Sequence, residues 1–211
     1  MIENLIFDFG NVLTYSDFDG VIDSYFDDVE EARQFKMVVR AKDFVARYDR
    51  EVEPFATIIR EMQIRYPRWK HQLQRFHDGY ADCVKREVPG MYNLLARYKR
   101  EGFHLYGLSN WCSQIHKVMP RFPIYDLLDG YVISSQEKLL KPEPAIYLRL
   151  CERYHLLPST CLFTDDKMEN VRGAEAVGMQ AIRFENARQF ERTLRHVLRQ
   201  EKASASSQNG I

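Results

Sequence analysis

Short, mostly apolar runs alternate along this chain with longer segments of helical spacing, and this alternation constrains the fold more than any other feature. The runs lie at residues 5–7, 103–108, 130–133, 160–164 and 179–184. Such a run fits a strand that is buried on both faces, and a helix between two such strands allows them to pair in parallel. We therefore predict an α/β fold, a doubly wound, Rossmann-like parallel sheet covered by helices.

The long segment between the first run and Pro89 shows no strand signal and carries helical stripes instead. Apolar residues recur there at helical spacing, as in Val21-Tyr25-Val29-Ala32, Phe55-Ile58-Ile59-Met62 and Leu73-Phe76-Tyr80. We predict an all-helical cap inserted after the first strand. The predicted boundaries are residues 1–14 and 89–201 for the core, residues 15–88 for the cap, and residues 202–211 for a disordered tail.

The inserted cap has an expected physical role, which is to exclude water from the catalytic crevice when it closes. Hinges for this movement are expected near residues 13–16 and 87–90. Several polar cap residues are candidates for substrate contact, although most of them are expected to form the solvated face of helices. These candidates are Lys36, Arg40, Lys42, Arg47, Tyr48 and Arg50.

The overall charge of the chain is balanced, with 30 Lys and Arg against 30 Asp and Glu. A balanced charge gives no general attraction to nucleic acid or to an anionic membrane. No segment approaches the roughly 18 consecutive apolar residues of a membrane-spanning helix, and the four cysteines are too widely spaced to indicate a metal site. We expect a cytoplasmic protein that binds a small molecule; its oligomeric state is left open.

Polar residues follow three of the apolar runs at the point where each strand is expected to end. Asp8 follows the first run, Ser109 the second, and Asp165-Asp166 the fourth. The carboxyl ends of the strands of an open α/β sheet line one crevice, where ligands bind. We therefore expect these side chains to meet at a single site.

The residue types at this crevice point to phosphoryl transfer. Neighbouring carboxylates need a cation to stay ionised together, and the cation that prefers carboxylate, carbonyl and water oxygens is Mg²⁺. Ser109 and Lys141 would bind the oxygens of a phosphoryl group, and Asp8 would attack phosphorus to give an aspartyl-phosphate that water then hydrolyses. Gly10 and Asn11 are expected to turn the chain sharply, so that backbone N–H groups point at the phosphoryl group.

Four segments, in this order, resemble the motifs of the haloacid dehalogenase-like hydrolase superfamily. They are Asp8-Phe9-Gly10-Asn11-Val12, Ser109-Asn110, Lys141-Pro142 and Phe163-Thr164-Asp165-Asp166. The resemblance extends from residue 3 to about residue 185 and is strengthened by residues 141–147 and 165–174. The chain is most similar to the subgroup with a helical cap after the first motif, and within it to sugar-phosphate phosphatases with a Gly-Asn pair after the nucleophile.

The resemblance implies a magnesium-dependent phosphatase of small phosphorylated metabolites. Asp8 would be both the nucleophile and a metal ligand, and the Gly10 carbonyl would be a second ligand. Asp166 would be the main acidic ligand from the last motif. Asp165 would be a ligand through water or a support.

The resemblance also implies which residues hold the substrate. Ser109 and Lys141 would bind the phosphoryl group, with Asn110 beside them, and the turn at Gly10 and Asn11 would complete the pocket. Asn170 would either orient the acidic loop or only cap a turn.

Gly10 departs from the pattern of the superfamily's phosphatases, which have a second aspartate at this position to protonate the leaving oxygen and later activate water. Loss of a general acid and base commonly costs roughly 10²–10⁴-fold in rate. Either the substrates carry good leaving groups, or a cap residue or water supplies the proton. Two alternatives stay open: a metal-independent 2-haloacid dehalogenase, disfavoured by the paired acids Asp165 and Asp166, and a weakly active or non-catalytic relative that binds phosphorylated ligands or protein partners.

Overall fold

The computed structural model describes the backbone of residues 1–208 and the side chains of residues 1–203. Its strands are β1 (Asn4–Phe7), β2 (Thr14–Ser16), β3 (Val84–Glu87), β4 (His104–Ser109), β5 (Gly130–Ile133), β6 (Cys161–Asp165) and β7 (Gln180–Arg183). Five of them form a parallel sheet in the order β5-β4-β1-β6-β7. Each of the five predicted strands is present and begins and ends within one residue of its predicted bounds.

The helices cover both faces of this sheet and form the cap. They are α1 (Phe18–Asp23), α2 (Val29–Val39), α3 (Lys42–Arg50), α4 (Phe55–Arg65), α5 (Lys70–Asp78), α6 (Met91–Arg100), α7 (Ile115–Val118), α8 (Ser134–Glu137), α9 (Pro144–Tyr154), α10 (Met168–Ala176) and α11 (Ala187–Gln208). Short 3-10 helices lie at Pro67–Trp69, Tyr80–Cys83, Met119–Arg121, Pro123–Leu127 and Pro158–Thr160. None of the helices in the described part of the chain is long and apolar enough to cross a membrane.

The central strand β1 is apolar on both faces because both faces are covered. Leu5, Ile6 and Phe7 are fully buried, and alternate residues point to opposite sides of the sheet. Leu5 and Phe7 join the apolar cluster that includes residues of α6 and α11, whereas Ile6 joins the cluster that includes residues of α9. Burial on both sides explains why β1 lacks the polar alternation of a half-exposed strand.

The cap has a mainly aromatic core that is continuous with the core of the sheet domain. The rings of Tyr48, Phe55 and Phe76 each lie 5.3–5.5 Å from a neighbouring ring in this group, with Tyr80 at its centre. Tyr80 in turn lies 5.9 Å from Trp111, which follows β4 in the sheet domain. The predicted α/β core with a helical cap is therefore confirmed.

Three local features differ from the sequence prediction. β2 and β3 form an antiparallel ribbon beside the expected hinges; its strands are too short and polar to show a strand signal, so only their pairing reveals them. The stripe from Val21 to Ala32 is broken, because α1 ends at Asp23 and a new helix begins after the N-cap Asp28, which accepts a hydrogen bond from the Glu31 N–H.

The third difference concerns the tail. Residues 202–208 continue α11, so the prediction of disorder is wrong for them. A helix anchored upstream by buried Phe190 and Leu194 can propagate through this segment, since Lys, Ala and Gln are good helix formers and Ser is only moderately unfavourable. Residues 209–211 lie outside the described residues, and the boundaries between core and cap stay predictions.

We expect Gly107→Ala to destabilise the protein by about 1–3 kcal/mol through overpacking. A Cβ at this position on β4 would lie 2.8 Å from Cζ of the buried Phe9 ring and 3.1 Å from Tyr131 Cβ. The entropic gain of about 0.4–1 kcal/mol from replacing glycine is smaller than this cost. Chemical denaturation measures the difference.

Gly10→Ala is the matched control for this stability measurement. It adds the same methyl group where the nearest atom, Trp111 Cζ3, lies at 3.9 Å. Equal stabilities for the two variants would contradict the clash with Phe9.

Candidate active site

The parallel sheet brings the predicted polar residues together at one edge. β1 lies between β4 and β6, so Asp8 follows the strand whose two neighbours end in Ser109 and Asp165. One oxygen of the Asp8 carboxylate, Oδ1, accepts hydrogen bonds from the Phe9 N–H at 2.7 Å and from Ser109 Oγ at 2.7 Å. Lys141 Nζ lies 2.9 Å from the same oxygen.

Lys141 is a buried ammonium with a full set of partners. Its Nζ donates to the Leu108 carbonyl at 2.9 Å and to Asp165 Oδ2 at 2.6 Å, in addition to its contact with Asp8. Burial lowers the pKa of Lys141, but the charges of Asp165 and Asp8 raise it by more, so that the pKa lies above its usual value. Lys141 is therefore charged, and a ligand anion must displace one of its present partners.

Asn110 has a different role from the one expected. Its side-chain Nδ2 donates to the Lys141 carbonyl at 3.0 Å, and its Oδ1 accepts from the Lys141 N–H at 2.8 Å. Both ends of the amide are thus used to hold the backbone of Lys141. The structure places Asn110 as a positioning residue for the lysine, not beside an open ligand position.

Asp165 is the most enclosed acid of the site, with no exposed surface. Its Oδ1 accepts from the Lys167 N–H at 2.8 Å and from Asn170 Nδ2 at 3.1 Å. Its Oδ2 accepts from Lys141 and from Asn170 Nδ2 at 3.0 Å. Asn170 therefore orients the acidic loop, which was one of its two expected roles, and both Asp165 oxygens are occupied.

Asp166 is less enclosed and has fewer partners. Its Oδ2 accepts a hydrogen bond from Asn11 Nδ2 at 3.1 Å, and burial raises the pKa of Asp166 above its usual value. The Asn11 backbone N–H donates to the Thr14 carbonyl at 2.8 Å, so it does not point at a phosphoryl group as expected. The turn is nevertheless sharp, with Asn11 in the left-handed region at φ 60°.

The three acids form a group that fits a hard divalent cation. One oxygen from each of Asp8, Asp165 and Asp166 lies within 4.8 Å of the others. Burial raises the pKa of Asp8 to about 6, although Lys141 opposes this shift. Since the hydrogen bonds of Asp165 occupy both its oxygens, Asp8 and Asp166 are the acids best able to take a cation, and carboxylate oxygens suit Mg²⁺.

The end of helix α3 docks the cap onto this site through three contacts. The Glu51 carboxylate accepts hydrogen bonds from the backbone N–H and from Oγ of Ser113, the latter at 2.7 Å. Lys138 Nζ donates to the Glu51 carbonyl. Arg50 forms an ion pair with Glu143, close to Lys141 in the chain.

The other charged candidates of the cap are bound within the cap itself. Lys36 pairs with Asp23, Arg40 with Asp19, and Arg47 with both Glu53 and Glu61. Lys42 is exposed, and Tyr48 packs in the aromatic core. Of the six candidates, Arg50 is the one that pairs with a charged residue of the sheet domain.

Asp49 is a functional candidate that the sequence analysis missed. It is 9% exposed on α3, and the charges of Lys167, Asp8 and Lys141 all act on its carboxyl group. Burial raises the pKa of Asp49 to about 7; Lys167 lowers it and Asp8 raises it. The available signal was an acid on the apolar side of an amphipathic helix, four residues after Val45 and next to Tyr48.

We expect Asp49→Asn to increase stability at neutral pH but not at low pH. The folded-state pKa of about 7 lies above the ordinary value of 3.8, so the unfolded chain binds fewer protons between these values, and stability falls as pH rises through this window. The free energy of unfolding that the wild type loses in this way is on the order of 4 kcal/mol above pH 7. Thermal unfolding from pH 4 to pH 8 in the presence of a chelator measures it.

Asp43→Asn removes an exposed carboxylate from the same helix and serves as the control. It should leave the pH dependence of stability as in the wild type. A stability difference between Asp49→Asn and the wild type that stays constant from pH 4 to pH 8 would contradict the raised pKa.

Comparison with known proteins agrees with this architecture. A family model described as haloacid dehalogenase-like hydrolase matches residues 2–178. Glyceraldehyde 3-phosphate phosphatase of Pyrococcus furiosus is 26% identical over 147 residues, covering 67% of this chain and 60% of that protein. D-ribitol-5-phosphate phosphatase of Bacteroides thetaiotaomicron is 24% identical over 221 residues, covering 94% of this chain and 99% of that protein.

Among solved structures, a mutant haloacid dehalogenase family enzyme from Bacteroides thetaiotaomicron, in complex with magnesium and inorganic phosphate, has the same fold. Its TM-score is 0.71 at 20% sequence identity, covering 89% of this chain and 96% of that chain. The chain spans only 46% to 60% of the length of three curated relatives that it matches. The family model, however, covers most of the chain and includes the residues that meet at the site. The chain therefore belongs to the haloacid dehalogenase-like hydrolase family.

Proposed function

We propose that this enzyme is a magnesium-dependent phosphatase that hydrolyses small phosphorylated metabolites, sugar phosphates foremost, through a phosphorylated Asp8. The observation that carries the proposal is the arrangement around this carboxylate. A hydroxyl and an ammonium, from Ser109 and Lys141, donate to its Oδ1, and the Asp166 carboxylate lies on the same crevice with a single hydrogen-bond partner among the described residues. These are the groups that a phosphoryl transfer from an ester to a carboxylate requires.

Substrate binding would use the donors that now serve Asp8. When a phosphoryl group enters, Ser109 Oγ and Lys141 Nζ would exchange their bonds to Asp8 for bonds to phosphoryl oxygens, because both groups already point into the crevice. Asp8, Asp166 and the Gly10 carbonyl would hold the cation. A bound Mg²⁺ supplies charge neutralisation between the phosphoryl oxygens and these carboxylates.

In the first chemical step, an Asp8 oxygen forms a bond to phosphorus, and the bond from phosphorus to the leaving oxygen breaks. The leaving oxygen takes the electron pair and a proton and departs as an alcohol. Asp165 and Asn110 hold Lys141 in place during this step, since their hydrogen bonds to it involve neither the nucleophile nor the substrate. We therefore assign to Asp165 the role of a support.

In the second step, water attacks the phosphorus of the phosphorylated Asp8. The new oxygen–phosphorus bond forms as the bond to Asp8 breaks, so that inorganic phosphate leaves and the carboxylate is regenerated. Asp8 is only 8% exposed, so we expect the cap to open when substrate enters. The closed cap would then limit the access of bulk water to the reacting groups.

The names of the relatives support the substrate class. Two of the relatives described above are phosphatases, of glyceraldehyde 3-phosphate and of D-ribitol 5-phosphate, both small phosphorylated metabolites. The ribitol phosphate enzyme matches over nearly the full length of both chains. We take a phosphorylated sugar or sugar alcohol as the first substrate class to test.

We expect magnesium-dependent release of phosphate from at least one ester in a panel of sugar phosphates, sugar-alcohol phosphates and an activated aryl phosphate. Asp8→Asn should lower kcat/KM by at least on the order of 10³-fold, because the amide is a far weaker nucleophile. Mass spectrometry of acid-quenched enzyme should detect phosphate on the peptide that contains Asp8. A chelator should abolish turnover.

Asp126→Asn, which removes an exposed carboxylate outside the four motifs, is the control and should keep wild-type activity. The absence of Asp8-dependent phosphate release from every ester would refute the phosphatase and favour a binding protein. Chloride release from a 2-haloacid without magnesium would favour the dehalogenase.

A further inference from the structure

The proposed reaction needs a proton donor that the nucleophile loop does not contain. The leaving oxygen must be protonated in the first step, and a water proton must be accepted in the second. Gly10, two residues after Asp8, has no side chain, and a Cβ there would meet no atom closer than Trp111 Cζ3 at 3.9 Å. The cap, which docks beside this loop through the end of α3, is the other place to look for a proton donor.

Asp49 is a buried carboxyl group of the cap without a hydrogen-bond partner. It is 9% exposed, and among the residues with described side chains no hydrogen bond to its carboxyl oxygens is found, although its backbone carbonyl accepts one. A carboxyl group with so little exposure and no hydrogen bond from the described side chains costs stability when it is charged. The charges of Asp8 and Lys141 both act on this carboxyl group, so it lies in the neighbourhood of the proposed nucleophile.

The backbone around Asp49 is held firmly against the sheet domain. Ser134 Oγ, fully buried, donates to the Asp49 carbonyl at 2.6 Å and accepts from the Trp111 N–H at 2.9 Å. The next two residues, Arg50 and Glu51, make the docking contacts of α3 described above. Asp49 is thus fixed relative to the loop that follows Ser109 whenever the cap is closed.

The charges around this carboxyl group come from every side of the crevice. Lys167 faces it from the loop after β6, Asp8 from the end of β1, and Lys141 from the loop before α9. Besides burial, the charge of Asp49 in turn raises the pKa values of Tyr48 and Tyr80 in the cap and of Cys112 after β4. With 9% exposure and these charges acting on it, the group is largely enclosed and lies near the acids and lysines of the site.

We propose that Asp49 is the general acid and base of this enzyme, an inference that rests on the proposed phosphatase function. In the first step, the Asp49 carboxyl proton passes to the leaving oxygen as the bond from that oxygen to phosphorus breaks. In the second step, the Asp49 carboxylate takes a proton from the attacking water as the bond from Asp8 to phosphorus breaks. The proton on Asp49 is restored in each cycle, so no other reactant is needed.

Comparison of two leaving groups separates this role from a structural one. With a sugar-alcohol phosphate, whose leaving oxygen needs a proton, we expect Asp49→Asn to lower kcat/KM by roughly 10²–10⁴-fold. With 2,4-dinitrophenyl phosphate, whose leaving oxygen departs as a stable anion, kcat/KM should change little. Hydrolysis of phosphorylated Asp8 lacks its base in this variant, so a burst of dinitrophenol should precede a slower steady state.

A rescue experiment tests the assignment by restoring a carboxyl group at another position of the site. Adding Gly10→Asp to Asp49→Asn places a carboxyl group in the nucleophile loop, where the Cβ has room. We expect this second change to raise kcat/KM for the sugar-alcohol phosphate by on the order of tenfold or more over Asp49→Asn alone. Asp43→Asn, on the same helix but exposed, should match the wild type with both esters.

The outcomes distinguish the inference from the function on which it rests. If the wild type hydrolyses both esters and Asp49→Asn lowers kcat/KM for both by the same factor, or for neither, Asp49 is not the acid and the phosphatase assignment stands. If no ester gives Asp8-dependent phosphate release with the wild type, the proposed function fails and the inference falls with it. A selective loss with the poor leaving group, rescued by Gly10→Asp, supports the assignment.

Discussion

The buried ammonium of Lys141 between the carboxylates of Asp8 and Asp165 is the interaction on which the site depends. Adjacent parallel strands bring these two acids to the same edge of the sheet, where both could not stay charged together without a cation. Removing one member of such a buried set typically costs about 3–5 kcal/mol, because the others are left uncompensated. The lysine therefore links the stability of the fold to the charge state of the proposed nucleophile.

Several polar side chains of the site hold this lysine or its partner Asp165 in place and do not contact a ligand position. Asn110 binds its backbone through both ends of the side-chain amide, and Asn170 orients Asp165 by donating to both carboxylate oxygens. Side chains fixed by such supporting bonds are the condition for a precise reactive geometry. One consequence is a division of labour among the acids, in which Asp165 supports and Asp166 remains available.

The cap completes the site with both apolar and charged contacts. Aromatic packing around Tyr80 joins the cap core to Trp111, while Arg50 and Glu51 fix the end of α3 by directional polar bonds. This docking brings Asp49 into the crevice at a cost in stability, since burial disfavours its charged form. Active sites often contain a carboxyl group whose charged form is disfavoured by burial, and the protein loses some stability to keep it there.

The sequence by itself determined the sheet, the inserted cap and most of the site, since these depend on local signals. A short apolar run such as residues 5–7 indicates a buried strand of a parallel sheet. Because the carboxyl ends of parallel strands lie at one edge of the sheet, Asp8, Ser109 and Asp165 could be grouped without coordinates. The tertiary structure alone decided how the polar groups pair. It assigned Asn110 and the Asn11 N–H to partners within the protein, paired β2 with β3, and buried Asp49 where the charges of Asp8 and Lys141 act on it. The physical reason is that a hydrogen bond or a charge contact depends on direction and distance between segments far apart in the chain, which local pattern does not encode.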